Sequence, residues 1–177
     1  MTESANVFSM FDLLGMQERF ENYMASLRMP TFTSILMVRS GEETYNVGDT
    51  CLLRHMFTSA EVAAFAVLVQ DPNGPHTNVI AAKRSVFGRI VVEGMYTLSL
   101  VTAILGSQYP GEGCVLVGLD EVKWRAPVHP GEEVLIKLEL VETKPATEGR
   151  AAKGIFSFIY TVGETKVLTG RVTTTLP

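Results

Sequence analysis

Asp71 and His76 are the residues of this chain whose types and spacing best suit acid–base chemistry. They are the two ends of Asp71-Pro72-Asn73-Gly74-Pro75-His76, a short segment stiffened by two prolines. A carboxylate and an imidazole held in one such loop can converge on a single water, the carboxylate accepting one proton while the imidazole exchanges another. Adding water across a double bond needs that division of labour, a base for the nucleophile and an acid for the carbon. Asp, Pro, Asn and Gly are also the residues that build tight turns, so on spacing alone a purely structural turn is the competing reading.

The other candidates have fewer neighbours to work with. His55 falls in a strand-like stretch and reads as a packed or edge residue. His129 sits in Pro127-Val128-His129-Pro130-Gly131, where a rigid, exposed turn accounts for it. Cys51 and Cys114 lie far apart and lack metal-ligand spacing, so they read as reduced core or strand residues. Reduced cysteines favour an intracellular compartment.

The elements around this loop follow from pattern. Residues 49–57 alternate as a strand, with Cys51, Leu53, His55 and Phe57 on one face. Thr58 and Glu61 then form a capping box, and Phe57 with Val62 can act as a hydrophobic staple, so a helix starts here. Every residue from Val62 to Val69 is apolar, which predicts a short, largely buried helix. It stops at Asp71 because the residue before a proline is pushed out of helical space. A loop is expected from Asp71 to about Phe87, followed by a second helix from Gly94 to Ser107 that is apolar nearly all round, as an enclosed helix would be.

The rest is rich in strands. Residues 115–126 alternate with a change of phase that a bulge near Asp120 would reconcile. Residues 133–142 place Val134, Ile136, Leu138 and Leu140 on one face, and Phe156, Phe158, Tyr160 and Val162 repeat the pattern. Gly163-Glu164 can turn the chain into a last strand from Thr165 to Thr175. One strand, a helical section and about four consecutive antiparallel strands make an α+β layout. A single hotdog fold, an antiparallel sheet curled around the long central helix, is one solution that satisfies every part of it.

The N-terminal 40 residues differ from the remainder of the chain, so an extension over 1–40 is expected before a domain over 41–177. Positions 1–23 carry four acids against Arg19, unlike a secretory signal or an organelle presequence. The acid-free segment from Met24 to Ser40 would pass as a mitochondrial presequence if translation began at Met24. An amphipathic helix using Phe8, Phe11 and Leu14, followed by a strand, is the alternative.

The 177 residues suit one domain with a substantial core. A formal net charge of -4 and the lack of any basic stripe give no reason to expect nucleic acid. The uncharged stretch from Gly94 to Gly111 is interrupted by Thr97, Ser99, Thr102, Ser107 and Gln108, so a buried helix explains it better than a membrane span.

With these segments in order, the chain resembles the MaoC-like, R-specific enoyl-thioester hydratases of the hotdog superfamily. The family carries a pattern close to S-G-D-x-N-P-L-H after a short helix, and here Val69-Gln70-Asp71-Pro72-Asn73-Gly74-Pro75-His76 places Asp, Asn and His on the family's positions. AAKRSVFGRIVVEGM resembles the segment leading to the family's central helix, and WRAPVHPGEEV resembles its P-V-x-x-G-D-x-V turn. The similarity spans roughly residues 45–175.

The resemblance implies a catalytic pair of Asp71 and His76, and a Gly94 whose backbone N–H polarises the thioester carbonyl. Gly94 lacks a side chain, which lets the thioester approach, and N–H groups at a helix start favour charge on an enolate oxygen. Asn73, Met95, Leu98 and Thr102 are the implied substrate-binding residues, the last three lining an acyl tunnel. Three departures stand out: Gln70 for Gly, Gly74-Pro75 for Pro and an aliphatic residue, and Glu93 for the His before the helix glycine. An anion at 93 would oppose an enolate, so Glu93 is expected to turn away and pair with Arg84, Arg89 or Arg125.

The implied activity is interconversion of trans-2-enoyl and R-3-hydroxyacyl thioesters of CoA or acyl carrier protein, with no metal or redox cofactor. A hotdog thioesterase and a non-catalytic acyl-thioester-binding dimer are the alternatives. Open sheet edges and the resemblance together lead us to expect a homodimer with the site near the interface. The compartment, cytoplasmic or mitochondrial, stays open.

Overall fold

The computed structural model describes residues 35–38 and 45–177, all within one compact unit, Phe32–Pro177. The amphipathic helix considered for the N-terminus lies outside the described residues, as does the segment 24–40 considered as a presequence except for residues 35–38. The chain runs β1 (Ile35–Val38), β2 (Thr50–Met56), α1 (Ser59–Leu68), α2 (Gly74–Thr77), α3 (Val79–Arg84), α4 (Gly94–Ser107), β3 (Leu116–Trp124), β4 (Glu133–Lys144), β5 (Lys153–Val162) and β6 (Thr165–Thr175). β1 lies just before the expected boundary at residue 41 and pairs with β2.

The described strands form one antiparallel sheet in the order β1-β2-β4-β5-β6-β3. The alternation read from the sequence decides which face is buried. Cys51 and Leu53 of β2, Ile136 and Leu138 of β4, Phe156 and Phe158 of β5, and Leu168 and Val172 of β6 share one core with Leu98, Val101, Ile104 and Leu105 of α4. This is the hotdog arrangement, a sheet packed by one face onto a central helix. The expected bulge is present: the β3–β6 register slips between Asp120 and Lys123, and Glu121 takes a left-handed φ of 54°.

Local signals set the start of α1 as expected. The Thr58 side chain accepts the Glu61 N–H at 3.2 Å, and the Glu61 carboxylate accepts the Thr58 N–H at 2.6 Å. α1 docks on the first turn of α4 through a stack of Phe65 on Tyr96, with centroids 4.8 Å apart, and Phe57 meets Tyr96 edge-on at 5.0 Å. The helix that leads to Asp71 is thereby tied to the helix that begins at Gly94.

Three expectations about burial and local structure are corrected. α1 is not largely buried: Val67 and Leu68 are 79% and 78% exposed, because only the side facing α4 is covered. α4 is likewise enclosed on one side only, with Met95, Thr102 and Gly106 exposed. The segment 71–87 is not a continuous loop but contains α2 and α3. Asn78 caps α3 by accepting the N–H groups of Ile80 and Ala81, a local bond that the pattern of apolar residues does not disclose.

Candidate active site

The Asp71–His76 segment is shaped by how α1 ends. Gln70 adopts φ 57°, the Gln70 N–H donates to Val67 O at 3.2 Å and the Asp71 N–H donates to Ala66 O at 2.9 Å. Those two bonds make a Schellman motif, in which the left-handed position normally favours glycine. Gln70 therefore keeps the geometry that the family's glycine would supply, at a conformational cost. Asp71 then closes the turn, its Oδ1 accepting the Asn73 N–H at 3.0 Å. Asn73 contributes its backbone to the segment: its carbonyl accepts the His76 N–H and the Thr77 hydroxyl, both at 3.1 Å. Gly74, the second departure, has a packing reason, since a Cβ there would lie 2.6 Å from the Ala81 side chain.

His76 has one nitrogen fixed. Its Nδ1 is 2.8 Å from Val91 O, and a carbonyl can only accept, so Nδ1 carries the proton and Nε2 is the atom left for proton exchange. The Val91 N–H donates in turn to Pro75 O at 3.1 Å. On the other side of this segment the Val92 N–H donates to Val128 O at 2.8 Å, and His129 Nδ1–H donates to Ile90 O at 2.7 Å. Residues 90–92, which lead directly into Gly94, are thus clamped between His76 and His129.

His129 is a correction, because it is buried, only 7% exposed, where an exposed turn was expected. Its burial follows from its bond to Ile90, a partner far away in sequence. No local signal could have disclosed this positioning role.

Glu93 is the other correction. It forms no ion pair with a cation among the described residues; its carboxylate caps α4, accepting the Tyr96 N–H at 2.8 Å. Arg89 pairs with Glu132 at 2.5 Å, and Arg125 Nε–H donates to Thr169 Oγ1 at 3.0 Å. Unsatisfied donors at a helix start lie within reach of the capping residue, whereas a guanidinium must be brought from elsewhere.

His76 and Gly94 line the same cleft of about 330 Å³, together with Val91, Thr97, Trp124 and Arg125. Asp71 opens onto a separate depression of about 400 Å³ with Val67, Gln70 and Thr77. The single chain therefore brings His76 and Gly94 together but does not place Asp71 in their cleft. Neither cavity is lined by Asn73, Met95, Leu98 or Thr102. Leu98 belongs to the core, while Thr102 is exposed and donates to Ser99 O at 2.6 Å. Among the described residues, no three His, Cys, Asp or Glu side chains cluster to hold a metal, and no helix is long and apolar enough to cross a membrane.

The fold, an antiparallel sheet packed on a central helix with His76 and Gly94 lining one cleft, is that of the hotdog class, and the comparisons with known proteins give the family. The chain belongs to the MaoC like domain family, whose model matches residues 17–155. It is 34% identical over 135 residues to the 3-hydroxybutyryl-CoA dehydratase of Methylorubrum extorquens, covering 76% of this chain and 83% of that protein. It is 33% identical to the (R)-specific enoyl-CoA hydratase of Aeromonas caviae, covering 76% of this chain and 98% of that protein. The solved structure of the (R)-hydratase from A. caviae involved in PHA biosynthesis superposes with a TM-score of 0.68 at 31% identity, covering 79% of this chain and all of that one.

Proposed function

We propose that this protein adds water to trans-2-enoyl thioesters and, in reverse, dehydrates R-3-hydroxyacyl thioesters. The observation that carries the reading is the fixed His76 ring beside Gly94: Nδ1–H is held by Val91 O, and the cleft is shared with the first residue of α4. In hydration Asp71 takes a proton from the water whose oxygen bonds to C3, and His76 Nε2 accepts the hydrogen bond of that water's other proton and so orients it. The Gly94 N–H stabilises the enolate oxygen, and the proton held on Asp71 is passed to C2 as the enolate collapses. Gly94 is the first residue of α4, so its N–H has no partner within the helix. Glu93 does not point its charge at a distant cation but spends it on the Tyr96 N–H, which draws the carboxylate onto the helix end.

The active form in this reading is a homodimer. Val67, Leu68 and Val69 are exposed beside the Asp71 depression, and Val115, Leu116, Val117 and Leu119 are exposed on or next to β3, an edge strand. Such apolar surface, on an open edge, suits a second copy, which would turn the open depressions into an enclosed site. Light scattering should report about twice the 19.4 kDa of the chain. The thioester is carried by CoA or acyl carrier protein, and the free thiols Cys51 and Cys114 accord with an intracellular compartment, cytoplasmic or mitochondrial.

The test is loss of the ultraviolet absorbance of crotonyl-CoA, with chiral analysis of the 3-hydroxybutyryl product. Accumulation of the R product supports the reading. Unchanged absorbance, or release of free thiol from a saturated acyl-CoA in its place, overturns it in favour of a binding protein or a thioesterase.

A further inference from the structure

The bulge in β3 has a consequence on the outer face of the sheet. The slip after Asp120 sets Lys123 opposite Thr169 of β6, while Arg171 stands opposite Ser157 of β5. Arg125, just past the end of β3, is tied to the same strand twice: its N–H donates to Val167 O at 2.8 Å and its Nε–H to Thr169 Oγ1 at 3.0 Å. Two cations from the end of β3 and one from β6 itself thus meet around one stretch of β6. They line a groove of about 230 Å³ with Ser157 and Thr169.

The groove is poorly neutralised. Glu121 is the one carboxylate lining it among the described residues, and its Oε2 is 3.9 Å from Arg171 Nε, too far for a hydrogen bond and with both side chains more than half exposed. Asp120, opposite Arg171 in the ladder, does not line the groove, and Lys123 makes no ion pair with a described residue. In a chain with a formal net charge of -4, a groove with three cations against one carboxylate stands out as a place for an anion.

Arg125 also lines the cleft that holds His76 and Gly94, so one residue forms part of the wall of both cavities. A thioester with its carbonyl at Gly94 has an uncharged acyl chain and an uncharged pantetheine arm; the anions next along the substrate are the phosphates that end that arm. Guanidinium forks and an ammonium point charge are the groups that recognise phosphate oxygens.

We infer that the groove of Lys123, Arg125 and Arg171 binds the phosphate groups of the thioester's carrier, with Arg125 at the junction of phosphate and thioester sites. The inference rests on the hydratase reading above. The phosphate comes from CoA, which carries a pyrophosphate and a 3′-phosphate, or from the single phosphodiester that joins phosphopantetheine to a carrier protein.

The experiment compares crotonyl-CoA, crotonyl-carrier protein and crotonyl-pantetheine, which shares the acyl thioester but has no phosphate, as substrates of the wild type and of the Lys123→Ala/Arg171→Ala double variant. The ratio of kcat/KM for a phosphate-bearing substrate over crotonyl-pantetheine should fall at least about tenfold in the double variant, the effect of losing charge-assisted contacts. Lys144→Ala, a surface cation that pairs with Glu142, should leave that ratio within about twofold and controls for general charge. A fall confined to crotonyl-CoA, with competition by adenosine 3′,5′-bisphosphate, identifies CoA as the source; a fall confined to crotonyl-carrier protein identifies the phosphodiester. Ratios unchanged for both substrates overturn the inference. If the wild type hydrates none of the three, the hydratase reading has failed and the groove is judged by calorimetry alone. Binding of adenosine 3′,5′-bisphosphate that the double variant weakens then supports it, and no binding overturns it.

Discussion

Trp124 is built directly against Gly94: its indole Nε1–H donates to the Gly94 carbonyl at 3.0 Å, and a Cβ added to Gly94 would lie 2.9 Å from the same nitrogen. The edge strand β3 therefore holds the first residue of α4 by a bond that only a glycine leaves room for. The bond orients the peptide at the helix start, and it gives Gly94 a structural reason that depends on no ligand.

Gly94→Ala should consequently destabilise the protein by about 1–3 kcal/mol, the usual cost of overpacking. Urea denaturation with an unchanged m-value would measure it. A variant as stable as the parent would show that Trp124 yields without cost and that the close approach does not constrain this position.

Asp71→Asn and His76→Ala should each lower turnover on crotonyl-CoA by about 10²-fold to 10⁴-fold, as expected for a lost acid or base. Asn keeps an oxygen to accept the Asn73 N–H, so the Asx turn survives in the first variant. His76→Ala also loses the bond to Val91 O, so its thermal midpoint should fall slightly. Near-full activity in either folded variant would remove that residue from the chemistry.

Gln70→Gly should stabilise the fold by about 1 kcal/mol, because glycine adopts the left-handed conformation without the Cβ clash. Part of that gain is offset by the greater freedom of glycine in the unfolded chain. Chemical denaturation of the pair of proteins gives the difference, and a destabilised glycine variant would mean that the Gln70 side chain makes a compensating contact.

Stability should decline below neutral pH through His55. The ring is buried, Nε2 lies 3.7 Å from Glu61 Oε1, and desolvation lowers its pKa from 6.5 although the Glu61 carboxylate opposes the shift. The unfolded chain then takes up a proton near pH 6.5 that the folded protein resists. The His55 contribution is complete above about pH 6.5 and is lost as pH falls from there toward the lowered folded-state value, with a slope of at most about 1.4 kcal/mol per pH unit. Melting curves of wild type and His55→Gln between pH 7.5 and 5 should converge toward acid, and parallel curves would show that His55 is not the source.

Much of the fold was legible because its causes are local. Alternation at period two marks Val134 to Leu140 and Phe156 to Tyr160 as half-buried strands whatever lies across from them, and the Thr58–Glu61 box starts α1 with bonds three residues long. The pairing of Asp71 with His76 as candidates was legible for the same reason, since both sit in one turn. Contacts between distant segments were not. Val67 and Leu68 read as buried because they are apolar, but burial depends on whether another element covers them, and among the described residues none does. His129 read as exposed because its turn is, yet Ile90 draws it inward. Glu93 read as the partner of a remote arginine, and the nearer Tyr96 N–H prevailed because the helix start was already in place. Residue types and their order thus suffice to say which segments become strands and helices and which turn can bear an acid and a base. Packing had to establish that His76 shares a cleft with Gly94 while Asp71 opens elsewhere, because a cavity is made by side chains whose separation in space bears no relation to their separation along the chain.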